Sequence, residues 1–300
     1  MTDTPFHAGE LEAQARAGVG GMAARVGRSI HPEFVPAAAH FLEQASLLAL
    51  ATTDPSGNPW ASLLGGPPGL ATVLDPRTVR LRASPVTGDP VGESLRPGVP
   101  VGLLAPDFAT RRRLRLNGTI ESIGAEGLVI RAAQIYANCP KYIQRRQPLP
   151  VRPASNPTAV AASSLDARQR DWIRRADTFS LATANPGEGA DASHRGGTPG
   201  FLSIEGNRLS WPDYAGNMMF NSLGNIVAHP HAGVTIADFA SGDVLMLSGG
   251  ASIDWTPDQQ ARPEGAERML HLVIERVVEL SGALPLRADW VEPSPFNPGQ

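Results

Sequence analysis

Hydrophobic positions along this chain fall mostly in short runs that are β-branched or alternate with polar residues, and few stretches repeat at the helical period. That pattern predicts a mainly β protein with peripheral helices. A helix over 33–44 leads into a strand over 47–53, with further strands at 60–64, 70–74 and 78–82. The same succession returns as a helix over 166–176 and strands at 179–184, 191–195, 201–205 and 208–211. Between the first two strands, Asp54-Pro55-Ser56-Gly57-Asn58 suits a tight hairpin turn, and its counterpart at 185–189 is looser. The stretch 217–228 reads as a helix, 84–100 is irregular and rich in Pro and Gly, and 269–280 suits a closing strand.

The recurrence has a fixed offset of 131 residues. Leu50-Ala51-Thr52 falls on Leu181-Ala182-Thr183, Ala61-Ser62 on Ala192-Ser193, Gly65-Gly66 on Gly196-Gly197, and Asp107-Phe108-Ala109 on Asp238-Phe239-Ala240. Repeats this long exceed solenoid units, so each copy is expected to carry its own strands, and evenly spaced short strands favour a barrel. The expected organisation is an N-terminal extension (1–32), a first copy (33–145), a Pro/Ser/Ala-rich linker (146–164), a second copy (165–290) and a tail (291–300) that frays from Pro293.

Composition narrows the function. The chain has 300 residues, 42% hydrophobic and 18% charged, enough to bury a sizeable core, and a net charge of −3 leaves no footprint for non-specific nucleic-acid binding. Cys139, the one cysteine, can form neither an internal disulfide nor a cysteine zinc site. The N-terminus has no basic-then-apolar leader, and no apolar run reaches membrane-span length, so a cytoplasmic location without membrane contact is expected. Seven histidines form no HExxH pair, and no metal site is expected. The fingerprints GxGxxG, Walker A and GxSxG are also missing, which removes the usual signals of bound dinucleotides, nucleotide hydrolysis and serine-hydrolase chemistry.

Of the 26 basic residues only Lys141 is a lysine, and the arginines cluster at Arg111, Arg112, Arg113 and Arg115. On a strand, alternation puts Arg111, Arg113 and Arg115 on one face: a solvated surface, or a cationic wall for an anionic ligand. Arg195 ends a strand beside Gly196, where a guanidinium can chelate phosphate that the glycine admits, or else form a surface ion pair. Asn217, Asn221 and Ser222 lie near a helix start, as anion ligands or as cap and solvent-facing residues. Trp211 and Pro212 could wall a ring, His194 is either ligand-facing or structural, and Lys141 and Tyr142 lie beside Cys139 in NCPKYIQ.

The segments ASHRGGTPG (192–200), GNMMFNSLGNIVAHPHAG (216–233) and ADFASGDVLMLSG (237–249), with GNPWASLLGGPPG, TRRRLRLNG and NCPKYIQ in the first copy, resemble the flavin-binding split-barrel proteins related to pyridoxamine 5′-phosphate oxidase, in their tandem single-chain branch. The resemblance spans about residues 6 to 290. It implies two tandem FMN-binding split β-barrels of six strands each, packed as an intramolecular pseudo-dimer with FMN held where the barrels meet. His194, Arg195, Gly196, Trp211, Pro212, Asn217, Asn221, Ser222, Arg111, Arg113, Lys141 and Tyr142 become the candidate cofactor residues. The implied activity is an FMN-dependent oxidoreductase acting on a small molecule, with a nicotinamide donor arriving as substrate and no side chain obliged to act as acid or base. A flavin, haem or F420 carrier without turnover is the alternative. The sequence departs from true pyridoxamine phosphate oxidases at 279–287 (ELSGALPLR), which has one arginine where they carry an Arg/His-rich motif for the substrate phosphate. At the 131 offset Arg195 meets Leu64 and Arg113 meets Val244, so a single anion site per chain is expected.

Overall fold

The computed structural model describes residues 4–151, 153–154, 156–258 and 262–299. Two helices, α1 (Ala8–Arg16) and α2 (Gly20–Gly27), precede α3 (Pro36–Glu43) and the strands β1 (Leu47–Thr53), β2 (Pro59–Gly65), β3 (Ala71–Asp75), β4 (Thr78–Leu81), β5 (Pro100–Asp107), β6 (Arg112–Gly124) and β7 (Gly127–Ala137). Then follow β8 (Arg145–Pro150), β9 (Thr158–Ala162), α4 (Ala167–Arg175), β10 (Thr178–Asn185), β11 (Gly189–Gly196), β12 (Ser203–Glu205), β13 (Arg208–Tyr214), α5 (Asn221–Ala228), β14 (His231–Ala237), β15 (Val244–Asp254), β16 (Ala266–Ser281) and β17 (Leu286–Glu292). Local chemistry sets the helix starts. Pro36 opens α3, and Asp166 and Gln169 form a reciprocal capping box at α4. Among the described residues no helix is long and apolar enough to cross a membrane.

The duplication is visible in the hydrogen bonding. One antiparallel sheet runs β2-β1-β5-β6-β7-β4-β3 and the other β11-β10-β14-β15-β16-β13-β12, the same path of seven strands taken twice, where six were expected, with β9 as an eighth strand of the second sheet. Register is conserved as well: Leu50 opposes Ser62 as Leu181 opposes Ser193, and bulges fall at Asn117/Gly118 and again at Ser248/Gly249. The protein is mainly β, with two tandem copies packed as an intramolecular pseudo-dimer.

The copies meet across a two-fold contact. Gly102 on β5 lies against the Asp191–Ala192 backbone, where an added Cβ would be 2.5 Å from the Asp191 Cα. Gly233 on β14, its equivalent, lies against Pro59–Trp60, 2.3 Å from the Pro59 carbonyl oxygen. Only glycine admits backbones this close. Around this contact pack Ala51 with Ala182 and Ala61 with Ala192, two pairs related by the offset, and the equivalent rings of Phe108 and Phe239 meet edge-on at 5.4 Å.

Two expectations are corrected. The linker contains strands: β8 pairs with β17 as a separate ribbon, and β9 adds to the edge of β16. Neither shows a periodic pattern, because β9 is exposed on both faces and β8 is a Pro-containing ribbon strand outside both sheets. The tail is not frayed. Ser294 and Asn297 are buried, and Asn297 exchanges amide hydrogen bonds with Gln144 at 3.1 and 3.2 Å.

The irregular 84–100 segment of the first copy buries Asp89, which accepts hydrogen bonds from the Ser62 hydroxyl (2.6 Å) and the Val91 N–H (2.9 Å). Burial outweighs these bonds and pushes the carboxyl up to about 6. Protonated Asp89 therefore favours folding. That stabilisation is complete below the unfolded value of 3.8 and is lost as pH rises through about 6. Asp89→Asn should gain stability over the parent as pH rises across this window, by on the order of 2–3 kcal/mol; a pH-independent difference in urea midpoints would contradict it. Gly102→Ala and Gly233→Ala should each destabilise by about 1–3 kcal/mol, because the opposing atoms are backbone and cannot swing aside. An unchanged urea midpoint in either variant would refute the interface.

Candidate functional site

The strand period brings the chemistry together. On β6, Arg113, Arg115 and Asn117 alternate toward the second copy, and on β11, Asp191, Ser193 and Arg195 alternate toward the first. The strands meet where Arg115, fully buried, pairs with Asp191 across the interface. Burial alone would lower Arg115, but Asp191 outweighs it and lifts the guanidinium above its ordinary value.

To one side of this pair opens a cleft with about 670 Å³ of empty space, counting the part open to solvent. It is lined by Arg113, Lys141, Tyr142, His194, Arg195, Gly196, Pro212 and Asn217 from the expected set, joined by Arg115, Phe201 and Tyr214. No carboxylate is among its lining residues. An adjoining recess, sharing Arg115, Arg195 and Asn217, adds Asn221, Ser222 and Arg268.

Arg195 donates to Asp213 at 2.7 Å, and Arg268, directly opposite Asp213 on β16, donates to its other oxygen at 2.9 Å. Arg113 differs. Its guanidinium donates to the Nδ1 of His194 at 3.0 Å, and no carboxylate among the described residues pairs with it. Burial, then the neighbouring Arg115 and Arg195, pull Arg113 down to about 9. Burial also holds His194 well below the ordinary histidine value, reinforced by Arg113, Arg146 and Arg195. His194 is therefore a neutral imidazole whose Nδ1 accepts from Arg113 and whose Nε2–H faces the Thr178 hydroxyl.

The backbone around the cleft is tightly wound. Four described non-glycine residues have positive φ, and three of them border the cleft and recess: Tyr142 (65°), Met218 (64°) and Phe220 (62°). Each conformation costs about 1–2 kcal/mol for an L-residue. Tyr142 is held by Ser294, whose hydroxyl accepts from its N–H at 3.1 Å, and by the Ala215 carbonyl, which accepts from its phenol at 3.1 Å. Its ring lies 5.0 Å from Tyr214. Burial raises both phenols, so they remain neutral near neutrality.

Several candidates sit differently from the sequence reading. The helix read over 217–228 begins at Asn221; Asn217 is neither helical nor its N-cap, and its side-chain oxygen accepts from the Met219 N–H at 3.1 Å. Phe220 takes the N-cap position without a side-chain bond, which leaves the first-turn N–H groups of α5 uncapped by any side chain. Asn221 and Ser222 are engaged with Glu10 and with Asp191 and Ser193. Trp211 does not reach the cleft: it is fully buried in the second core, 5.4 Å from Phe179. Arg111 also lies elsewhere. It precedes β6 with φ of 55°, so strand alternation does not apply, and it pairs with Glu292 at 3.0 Å.

Asp213 and Arg268 were not among the candidates. Asp213 adjoins Pro212, but its pairing with Arg268 depends on the β13–β16 register. The offset-related position is filled instead: Leu64, Val244, Met246 and Trp60 stand where Arg195, Arg113, Arg115 and Asp191 would, buried with Leu284 and Leu286.

The chain matches no family model and no curated protein sequence. Among solved structures it is similar to a putative pyridoxamine 5′-phosphate oxidase from Lactobacillus delbrueckii (21% identity, 35% of this chain and 95% of that one, TM-score 0.28). Others are HutZ, a haem storage protein from Vibrio cholerae (10%, 39% and 95%, 0.29), and a FAD-binding protein from Mesorhizobium loti (13%, 41% and 98%, 0.28).

Ligand-free Arg113→Met should be at least as stable as the parent in urea, because it removes a half-buried charge that has no counter-charge among the described residues. Added inorganic phosphate should then raise the melting temperature of the parent and not of the variant. A loss of more than about 2 kcal/mol in the variant, with the phosphate effect retained, would remove Arg113 from the site.

Proposed function

We propose that the protein is an FMN-binding oxidoreductase of the pyridoxamine 5′-phosphate oxidase-like superfamily, acting on a small molecule. The observation that carries this reading is Arg113, a half-buried guanidinium without a carboxylate partner among the described residues, in a cleft lined by cations and by no Asp or Glu. A bound dianion would offset the repulsion that Arg115 and Arg195 exert on Arg113 and the desolvation of Arg113 itself. The residues fit a flavin phosphate. The buried Arg195 Nε has no partner, and the uncapped first turn of α5 adds N–H groups beside Arg195 and Asn217. Tyr142, Phe201, Pro212 and Tyr214 supply apolar and aromatic walls for a planar ring.

A flavin bound here supplies hydride and single-electron chemistry. The chain's own residues bind and orient it. Arg113 is held in place by neutral His194, Arg195 by Asp213, and Tyr142 is fixed by Ser294 from the C-terminal segment. Tyr142 and Tyr214 stay neutral, so the walls they would offer a flavin ring carry no charge, while Arg113, Arg115 and Arg195 would supply the cations for its phosphate. A nicotinamide donor would arrive as a second small molecule. Among the described residues no group of three side chains is placed to hold a metal.

FMN should bind at one equivalent per chain and much more tightly than riboflavin. Arg195→Ala should weaken FMN by about 1.5–3 kcal/mol, the range for a charge-assisted hydrogen bond. Equal quenching by FMN and riboflavin, or two equivalent sites by calorimetry, would overturn the assignment. Bound FMN that no nicotinamide donor reduces would point to a carrier instead.

A further inference from the structure

In the first copy a further cavity opens between α3, the segment leading into it, and the adjoining ends of β6 and β7, with about 1090 Å³ of empty space including its open part. Its walls include Val35, Ala37, Ala38, Phe41 and Ala137. This is hydrocarbon that a ligand can reach: Val35 is 50% exposed, Ala37 and Ala137 are exposed, and Ala38 and Phe41 are half-buried. The cavity adjoins the cleft, because Arg113 and Asn138 line both.

Comparing the copies shows why the space is there. At the 131 offset Ala37 meets Arg168, Ala38 meets Gln169 and Phe41 meets Trp172. Ala137 faces Leu114 across the β6–β7 ladder as Glu279 faces Leu245 across β15–β16, and Leu114 and Leu245 are themselves related by the offset. In the second copy these larger residues tie helix to sheet. Glu279 accepts from Arg168 at 2.7 Å and from Gln169 at 2.8 Å, while Gln169 and Trp172 are buried. Three alanines in the first copy can make no such bridge, and α3 stands off the strand ends with hydrocarbon left facing water. Open apolar surface of this kind costs free energy until something covers it.

We infer that this cavity binds an uncharged apolar small molecule, seated against Val35, Ala38, Phe41 and Ala137. The charges at its rim already have partners. Glu33 pairs with Arg77 at 3.0 Å. Arg112, with its guanidinium 5.3 Å from the centre of the Phe41 ring, donates to the Thr110 hydroxyl at 3.0 Å and has Asp107 at 3.8 Å. A charged ligand would give up its hydration to walls of hydrocarbon, whereas a neutral one gains by leaving water. As the place of the small molecule on which a flavin acts, the cavity rests on the flavin reading of the adjoining cleft; as a binding site it does not.

The test titrates the full chain, without flavin, with N-phenyl-1-naphthylamine, a neutral probe whose emission rises and shifts to the blue on leaving water. Its sulfonated relative 8-anilinonaphthalene-1-sulfonate is the charged control. The neutral probe should bind the parent. Ala37→Arg combined with Ala137→Glu, two changes at exposed positions that install the charges of the second copy's bridge, should weaken it by about tenfold or more. Should that variant lack native dichroism, Ala137→Trp decides. Val160→Ser, at an exposed apolar position outside the cavity lining, should bind the probe as the parent does. No binding by the parent, undiminished binding by a folded cavity variant, loss in Val160→Ser, or tighter binding of the sulfonate that the cavity variant also loses would each overturn the inference. In FMN-loaded protein the neutral probe should shift the visible flavin band, and an unchanged band with both bound would remove the reactant role. Failure of FMN to bind would show in the flavin titration and remove that role with the flavin reading, while the probe titration still decides what the cavity takes.

Discussion

The site between the copies, and the assembly that carries it, depends on how closely two backbones approach at Gly102 and Gly233. With side chains there, a Cβ would stand 2.5 and 2.3 Å from backbone atoms of the other copy, and the separation needed to relieve that clash would disturb the buried ion pair that β6 and β11 share. The pair Arg115–Asp191 is isolated from water, so its formation demands good geometry from the scaffold, and the double glycine contact supplies it. On either side of that pair the interface opens into cavities of opposite sign, one lined by arginines and the other by carboxylates and amides.

The duplication gives two equivalent seams, yet only one is chemically equipped. At the second seam Trp60, Leu64, Val244 and Met246 pack with Leu284 and Leu286 into a continuous core. The division follows from the energetics of burial. An apolar seam stabilises the pseudo-dimer by removing hydrocarbon from water. The polar seam stores unfavourable terms, namely the unpaired Arg113, the orphaned Arg195 Nε and three left-handed residues. A duplicated chain can let one seam hold the assembly while the other stays strained and ready for a ligand, which a symmetric homodimer cannot do.

Much of the plan was legible in the chain. The recurrence of strand positions at the 131-residue offset was legible because alternation and turn chemistry are local, and Leu47–Thr53 was recovered to the residue. The asymmetry was legible too, since it needs only the identity of offset-related residues. Eight of the twelve candidate cofactor residues line the cleft, and Asn221 and Ser222 line its recess. Trp211 and Arg111 fall outside it, the first because a sequence cannot say which face of β13 is the core, the second because a left-handed residue ended the alternation before Arg112.

What the sequence by itself determined is therefore the duplication, the mainly β class and the residue types on each seam, all of which depend on short-range periodicity and on comparing one copy with the other. Only the tertiary structure decided that Asp213 neutralises Arg195 and Arg268, that Glu10 of an unassigned N-terminal helix enters the interface, that the tail buttresses Tyr142, and that Arg113 is left unpaired. These are partnerships between residues 18 to 211 positions apart. Whether a buried charge is compensated depends on what lies within a few ångströms of it, and sequence separation carries no information about that distance.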